Sequence, residues 1–171
     1  MPKYVKINVE DHRLIDNKKV VEDVTQVVLP TFEHPTTSIT NVSGMVMDID
    51  MPNNTRLNAA EFSVAHNNGN NGLYLQSPVK HEMEFRTVRQ KYVTSGATVK
   101  HESVKYRLTG YHKSTEKGTI ETGNPWGSTD TFALVRYEEI VDGKQTMLVD
   151  ISGTYKVNGK DYAMDVQSLL N

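Results

Sequence analysis

The C-terminal stretch FALVRYEEIVDGKQTMLVDISGTYKVNGKDYAMDVQSLL, residues 132–170, decides the fold that the sequence predicts. Asp142-Gly143 separates two strand-like runs rich in β-branched and aromatic residues, and Asn158-Gly159 follows a third, shorter run. Asp, Asn and Gly tolerate the positive φ angles of a two-residue hairpin turn. The stretch therefore predicts an apolar tail preceded by three antiparallel strands, at residues 131–141, 144–151 and 154–157.

The composition is that of an ordinary globular chain, and it excludes several classes of function. With 171 residues the chain is long enough for one domain with a substantial core, and we predict a single β domain over residues 1–171. The net charge of −2 provides no basic field over the whole chain that would hold a nucleic acid. There is no cysteine, so no disulfide framework or thiol nucleophile is expected. The N-terminus lacks the apolar region of a signal peptide, and no apolar run is long enough to span a membrane.

Alternation of apolar and polar residues recurs along the rest of the chain, and each run ends at a turn signal. Alternation of this kind is typical of strands with one buried face. The predicted strands lie within residues 1–20 and at residues 20–30, 31–42, 57–65, 79–93 and 99–112. The apolar residues expected to fill the core from these strands are Phe62, Val64, Met83, Phe85, Val104, Tyr106 and Leu108.

Two segments between the predicted strands are too rich in turn residues or polar residues to form regular structure. They are residues 66–72, which read HNNGNNG, and residues 114–130. A short helix is predicted from Leu73 and must end before Pro78. The fold class is therefore mainly β, an antiparallel β-sandwich or barrel with one short helix.

A search for catalytic and metal-binding patterns identifies no site. His81-Glu82 and His101-Glu102 each begin an HExxH string, but Phe85 and Lys105 occupy the position of the second histidine. Both runs are also predicted strands, whereas that zinc site needs a helix. Since no nucleophile elbow or phosphate-binding loop is present either, we expect no enzyme activity, no bound metal and no cofactor.

The ordered set of motifs resembles the major tail tube proteins of contractile-tailed phages and the tube proteins of R-type bacteriocins. The motifs are DVTQVVLPTF at residues 23–32, a Thr-rich strand, a loop containing Gly44-Met45, two long strands, and the C-terminal pattern VDGK, VDI and VNGKDY. The resemblance covers most of the chain but is loose over the first twenty residues, and it leaves the Asn-Gly run at 67–72 without a counterpart.

This resemblance implies a tail-tube-like β-sandwich, of which six copies close into a ring, and rings that stack into a hollow tube. It implies contacts with a contractile sheath protein, a tape measure protein, and baseplate and tail terminator proteins, with transient passage of DNA if the particle is a phage. It places the chain in a virion tail or phage-tail-like particle that is made in the cytoplasm of a bacterial host.

Polar faces of three predicted strands are candidates for the bore of such a ring or for its outer wall. A wet channel needs polar side chains, and a mixed or acidic lining lets DNA pass because a basic lining would bind its phosphates. The candidate residues are Glu61, Ser63, Glu82, Glu84, Arg86, Lys105 and Arg107.

Residues 43–56, SGMVMDIDMPNNTR, are predicted to form a projecting assembly loop. A solvated loop should be polar, yet this one concentrates apolar side chains that a partner must cover to prevent aggregation. The residues assigned to the assembly interface are Met45, Val46, Met47, Ile49 and Met51, with Pro52-Asn53-Asn54 as the turn back. The alternative is that this apolar stripe packs on its own sandwich as an ordinary strand.

Two other classes of function remain open at this point. One is a monomeric carbohydrate- or surface-binding β-sandwich module, with Trp126 as a sugar platform, although a tryptophan that anchors its own loop is the more common case. The other is an enzyme whose site has no recognisable motif. Particle mass and electron microscopy distinguish the tube from the monomeric module.

Overall fold

A computed structural model describes residues 3–67 and 72–171 of the chain. Within these residues the strands are β1 (Tyr4–Asp16), β2 (Lys19–Val21), β3 (Val24–Val28), β4 (Thr36–Ile39), β5 (Ile49–Pro52), β6 (Glu61–His66), β7 (Lys80–Val93), β8 (Thr98–Glu116), β9 (Ser128–Val141), β10 (Lys144–Asp150), β11 (Thr154–Val157) and β12 (Lys160–Asp161). The helices in the same part of the chain are single turns, α1 (Gly72–Leu75) and α2 (Met164–Gln167). The greater part of the predicted Asn-Gly loop, residues 68–71, lies outside the described residues.

The strands form one large antiparallel sheet, which confirms the predicted mainly β fold. Its main path runs β12-β11-β10-β9-β8-β7-β1-β2, and β6 pairs with the first half of β9 and carries β3 on its other side. The strands β4 and β5 form a separate two-stranded sheet. The predicted helix near Leu73 is present as α1, and the predicted apolar tail forms the additional turn α2.

The large sheet curls on itself. Its end strands β2 and β3 are consecutive in the chain, so the two ends of the sheet must approach each other. The imidazole Nε2 of His12 on β1 lies 2.9 Å from the carbonyl oxygen of Val24 on β3, which marks where the ends meet. Curling gives the sheet a concave inner face that holds the core and an outer face that stays polar.

The core occupies the concave face. Phe62 and Phe132 stack at its centre with ring centroids 5.1 Å apart, and Leu75 of α1 is fully buried against the same cluster. Phe32, in the connection after β3, is partly buried and packs against the cluster. The buried apolar residues are Leu14, Phe62, Val64, Leu75, Met83, Phe85, Val104, Leu108, Phe132 and Tyr137, which includes every expected core residue except the half-buried Tyr106.

Most of the polar segment predicted as a loop, residues 117–127, does lie outside the strands, but its ends at 114–116 and 128–130 belong to β8 and β9, and there the prediction was wrong for a physical reason. Strands β8 and β9 continue into it because their polar side chains bond to one another inside the molecule. Asp130 is fully buried and accepts hydrogen bonds from Thr115 Oγ1 at 2.5 Å, His66 Nε2 at 3.0 Å and His112 Nε2 at 3.2 Å. A buried carboxylate needs hydrogen-bond partners, and a fully satisfied group of this kind rigidifies the strand ends that supply them.

Candidate assembly surfaces

The strand register places all seven polar candidates on the outer face of the sheet. Glu84 lies directly opposite Arg107, and Arg86 lies opposite Lys105, on the neighbouring strands β7 and β8. Glu61 begins β6, where the alternate residues Phe62 and Val64 are buried in the core. The candidates therefore share one surface, although β7 and β8 lie between β6 and its partner β9 in sequence order. They are Glu61, Ser63, Glu82, Glu84, Arg86, Lys105 and Arg107.

Charges on this outer face alternate across four adjacent strands. Glu84 contacts Arg86 and lies 3.6 Å from Arg107 Nε, and Arg107 Nη1 is also 3.6 Å from Glu138 Oε2. Arg136 then lies 3.8 Å from Glu138 and 3.5 Å from Asp150. The burial of Glu84 favours its protonated form, but the hydrogen bond from Arg86 and the charge of Arg107 outweigh this and lower the pKa of its carboxyl.

The sequence analysis missed the far half of this network. Glu138 and Glu139 are neighbours on β9 and point to opposite faces. Glu139 accepts a hydrogen bond from Tyr137 at 2.8 Å on the inner side, while Glu138 joins the outer network. The signal was the alternation of Arg136 and Glu138 on the outer face of β9. A surface of paired charges does not concentrate positive potential, so it is suited to stay hydrated beside a polyanion without binding it.

The segment containing the predicted assembly loop is a projecting hairpin. Ile39 pairs with Ile49 and Thr37 with Met51, so β4 and β5 run antiparallel and the chain reverses within residues 40–48, where Gly44 has a φ of 89°. The sequence analysis predicted that Pro52-Asn53-Asn54 provides the reversal. This was wrong, because Pro52 is already the last residue of β5. The backbone N–H of Asn53 instead closes the base of the hairpin by donating to Pro35 O at 2.8 Å.

The hairpin has one apolar face and one acidic face. Ile49 and Met51 lie on the first, and Asp50, which accepts a hydrogen bond from Ser38 Oγ at 2.5 Å, lies on the second. The five residues assigned to the assembly interface are all exposed, at Met45 44%, Val46 102%, Met47 74%, Ile49 39% and Met51 48%. Their part in assembly stays a prediction, but no core formed by the described residues covers them.

The base of the hairpin is fixed to the β9–β11 end of the sheet. The rings of Phe32 and Tyr137 lie 5.1 Å apart, and those of His34 and Tyr155 lie 5.8 Å apart. A hydrogen bond of 2.8 Å from His34 Nδ1 to Arg56 O joins the two sides of the base. These contacts set the direction in which the hairpin leaves the domain.

Trp126 is held by its own loop. Its indole N–H donates to the carbonyl oxygen of Lys117 at 2.6 Å, and the side chain is half-buried. A sugar platform needs an open ring face and free polar neighbours, so this contact favours the loop-anchor interpretation over the carbohydrate-binding one.

The described residues contain no cluster of three or more His, Cys, Asp or Glu side chains that could hold a metal ion. In the same part of the chain no helix has the length and apolar character needed to cross a membrane.

The family assignment agrees with this geometry. Residues 12–170 match the family described as phage tail tube protein FII, so the chain belongs to that family. The resemblance noted in the sequence is thereby confirmed, and the family gives the chain a structural role in the tube of a virion tail. A search of curated proteins gave no match.

Proposed function

We propose that six copies of this chain form a ring, and that the rings stack into the inner tube of a contractile tail through which DNA or an effector passes into a bacterial cell. The observation that carries the proposal is the projecting hairpin, whose exposed apolar side chains belong to a domain of the tail tube family. An isolated domain gains nothing from exposing Met47 and Val46, whereas a subunit buries them against its neighbours.

The proposed tube implies further partner proteins for this chain. A contractile sheath surrounds it, a tape measure protein occupies it during assembly, and baseplate and tail terminator proteins bind its two ends. The paired charges of the outer sheet face support its use as the lining of the bore, because they keep the surface wet and nearly neutral. Synthesis takes place in the host cytoplasm, and the particle is released from there.

Replacing Met45 and Met47 with Asp should yield a folded protein that no longer forms rings or tubes. Both side chains are exposed in the isolated chain, so the fold is expected to tolerate the change, whereas burying two carboxylates in a subunit contact is strongly unfavourable. Size-exclusion chromatography and negative-stain electron microscopy measure assembly, and circular dichroism measures folding.

The matched control is the double variant Ile120→Asp and Val79→Asp. Ile120 is 76% and Val79 50% exposed, close to the 74% of Met47 and the 44% of Met45, but they lie between β8 and β9 and just before β7 rather than at the hairpin. The control should assemble like the wild type. A wild-type protein that stays monomeric at high concentration would contradict the proposed function, and a hairpin variant that forms normal tubes would remove the hairpin from the joint.

A further inference from the structure

Three strands continue beyond the core as an uncovered extension, which we call the wing. It consists of residues 4–9 of β1, 88–93 of β7 and 98–103 of β8, joined in antiparallel register. Exposed apolar side chains occur along it, including Ile7 at 54% and Val99 at 52% exposure. Since no second layer packs on the wing within the described residues, a partner is needed to cover it.

One face of the wing carries three lysines in a row. Lys6 pairs with Lys91, and Lys91 pairs with Lys100, so three like charges lie side by side on neighbouring strands. Such a row is unfavourable unless anions balance it. Glu102 accepts hydrogen bonds from Lys6 at 2.8 Å and from Arg89 at 2.6 Å, and it lies 3.8 Å from Lys91.

The local anions do not balance this face. Among the described residues Lys100 has no ion pair. Lys91 lies 3.8 Å from Glu102 and 3.4 Å from Asp142, and its further contact, 5.6 Å from the centroid of the Tyr4 ring, adds no negative charge. Burial of Glu102 would raise its pKa, but the hydrogen bonds from Lys6 and Arg89 outweigh burial and lower it, so this carboxylate is already fully engaged. The lysine row therefore retains positive charge for an external acidic group.

The opposite face of the wing carries an apolar row. Val5 pairs with Tyr92, and Tyr92 pairs with Val99, so three exposed side chains of the three strands lie side by side. The wing is thus basic on one face and apolar on the other.

The wing ends in a free strand edge. β1 pairs with β7 on one side, but on its other side it pairs only with β2, through Leu14, Ile15 and Asp16. Over residues 4–11 that edge meets no other strand in the described part of the chain. A free edge bearing exposed valine and isoleucine is a site for adding a further strand. Residues 4–11 of this edge precede the family match, which begins at residue 12.

The projecting hairpin has the two faces that this edge requires. Alternate residues of β5 place Asp50 on one face and Ile49 and Met51 on the other. Added beside β1, such a strand brings its acidic face next to the lysine row and its apolar face next to the apolar row at the same time. Residues 36–52 contain Asp48 and Asp50 but no Lys or Arg, so the whole hairpin is complementary in charge to the basic face of the wing.

We propose that the hairpin of one copy adds to the free edge of β1 in the next copy, with Asp50 beside Lys6 and with Ile49 and Met51 on the side of Val5. This inference rests on the proposed function and names the surface that receives the hairpin. The base of the hairpin lies at the β9–β11 end of the sheet and the wing at the β1 end, so the contact joins opposite ends of successive copies. Repeated head-to-tail contacts of this kind close into a ring when the rotation between copies returns to the first one.

A bound nucleic acid would account for fewer features of the wing than a strand of a second copy does. Phosphates would neutralise the lysine row, but they would leave the apolar row and the backbone groups of the β1 edge uncovered. A strand of a second copy engages the lysines, the apolar row and the edge together.

The first experiment exchanges the charges. Lys6→Glu alone and Asp50→Lys alone should each raise the protein concentration needed for tube formation by about tenfold or more, and the double variant should recover assembly because the opposite charges face each other again. Lys160→Glu, an exposed lysine away from the wing, is the control and should leave assembly unchanged. Circular dichroism verifies that each variant folds.

The second experiment uses the absence of cysteine from the sequence. Val5→Cys is combined with Ile49→Cys or with Met51→Cys, since strand register can shift by two residues without exchanging faces. Mild oxidation of assembled protein should give a ladder of covalent multimers on a non-reducing gel. The control pair, Val5→Cys with Ile120→Cys, should give none.

The outcomes separate the two proposals. Wild-type tubes without a ladder, or without rescue in the charge exchange, overturn the wing contact and leave the tube function intact. A wild-type protein that never assembles overturns the tube function itself. If Lys6→Glu assembles normally but retains less duplex DNA, the lysine row serves DNA and the wing contact is wrong.

Discussion

Asp16 and His81 form a buried pair that holds a proton in the folded chain. His81 Nδ1 is 2.7 Å from Asp16 Oδ2, and Nε2 is 2.9 Å from the carbonyl oxygen of Ser77. A neutral imidazole has one N–H, so both bonds form only if a second proton lies on the imidazole or on the carboxyl. Burial raises the pKa of Asp16, and the hydrogen bond and charge of His81 only partly oppose this.

Replacing Asp16 with Asn should change how stability depends on pH. A raised pKa means that the folded chain binds this proton more tightly than the unfolded chain does. The stabilisation from Asp16 is therefore complete below its ordinary value of 3.8 and is lost as the pH rises through the raised pKa. The variant lacks this titration, so its free energy of unfolding should increase relative to that of the wild type as the pH rises.

Urea unfolding at a series of pH values from about 4 to 8 measures this difference. Asp165→Asn, at an exposed carboxyl in α2, is the control and should run parallel to the wild type. Parallel curves for Asp16→Asn as well would show that the buried pair releases no proton over this range.

At the scale of the strands, the register shift in the pairing of β8 with β9 depends on Gly110. The register shifts between Thr109 and Gly110, where β9 changes its partner from β6 to β10. A Cβ on Gly110 would lie 2.5 Å from Ala133 O and 2.9 Å from Phe62 Cε1. Glycine is therefore required for close approach of the two strands at this point.

Gly110→Ala should lower the free energy of unfolding by about 1–3 kcal/mol, because backbone and a core ring must move to admit the methyl group. Gly96→Ala is the matched control, since its Cβ would meet Thr98 Oγ1 at 3.6 Å and Thr98 Cγ2 at 4.0 Å, which are ordinary contact distances. Urea unfolding at neutral pH compares the two variants. Equal midpoints for both would show that the paired strands β8 and β9 adjust freely at this point.

The elements that the sequence predicted well are those defined by neighbouring residues. The turns at Asp142-Gly143 and Asn158-Gly159 have the expected positive φ angles, 47° and 79° in the first and 50° and 85° in the second. The ends of β8 and β9 were missed because Asp130 is satisfied by partners that are distant in sequence. Alternation along one strand does not reveal a polar core that is assembled from several strands.

At the scale of the molecule, the candidate surfaces were also predicted only as far as neighbouring residues define them. Alternation was enough to select residues that share the outer face, such as Glu84 and Arg107, and composition was enough to select the hairpin. The order of strands in the sheet was not accessible from the sequence. Without that order, neither the network through Arg136 nor the lysine row of the wing can be recognised.

Assembled tubes should retain duplex DNA weakly if the outer face of the sheet lines the bore. Glu84 and Glu138 each lie between two arginines, so the face carries few unpaired positive charges. Replacing both with Gln leaves Arg86, Arg107 and Arg136 without their carboxylate partners on this face, except for the contact of Arg136 with Asp150. The variant tubes should bind DNA with an affinity that falls as the salt concentration rises.

Co-sedimentation of tubes with short duplex DNA at several salt concentrations measures this gain, and fluorescence anisotropy of the unassembled protein repeats the measurement if the variant forms tubes poorly. Glu121→Gln with Asp165→Asn, two exposed carboxylates elsewhere, makes the same change in net charge and is the control. A gain that appears equally in the control reflects net charge alone. If the Glu84 and Glu138 variant gains DNA affinity when unassembled but not as a tube, its arginines lie outside the channel, and the outer face of the sheet is then the wall that meets the sheath.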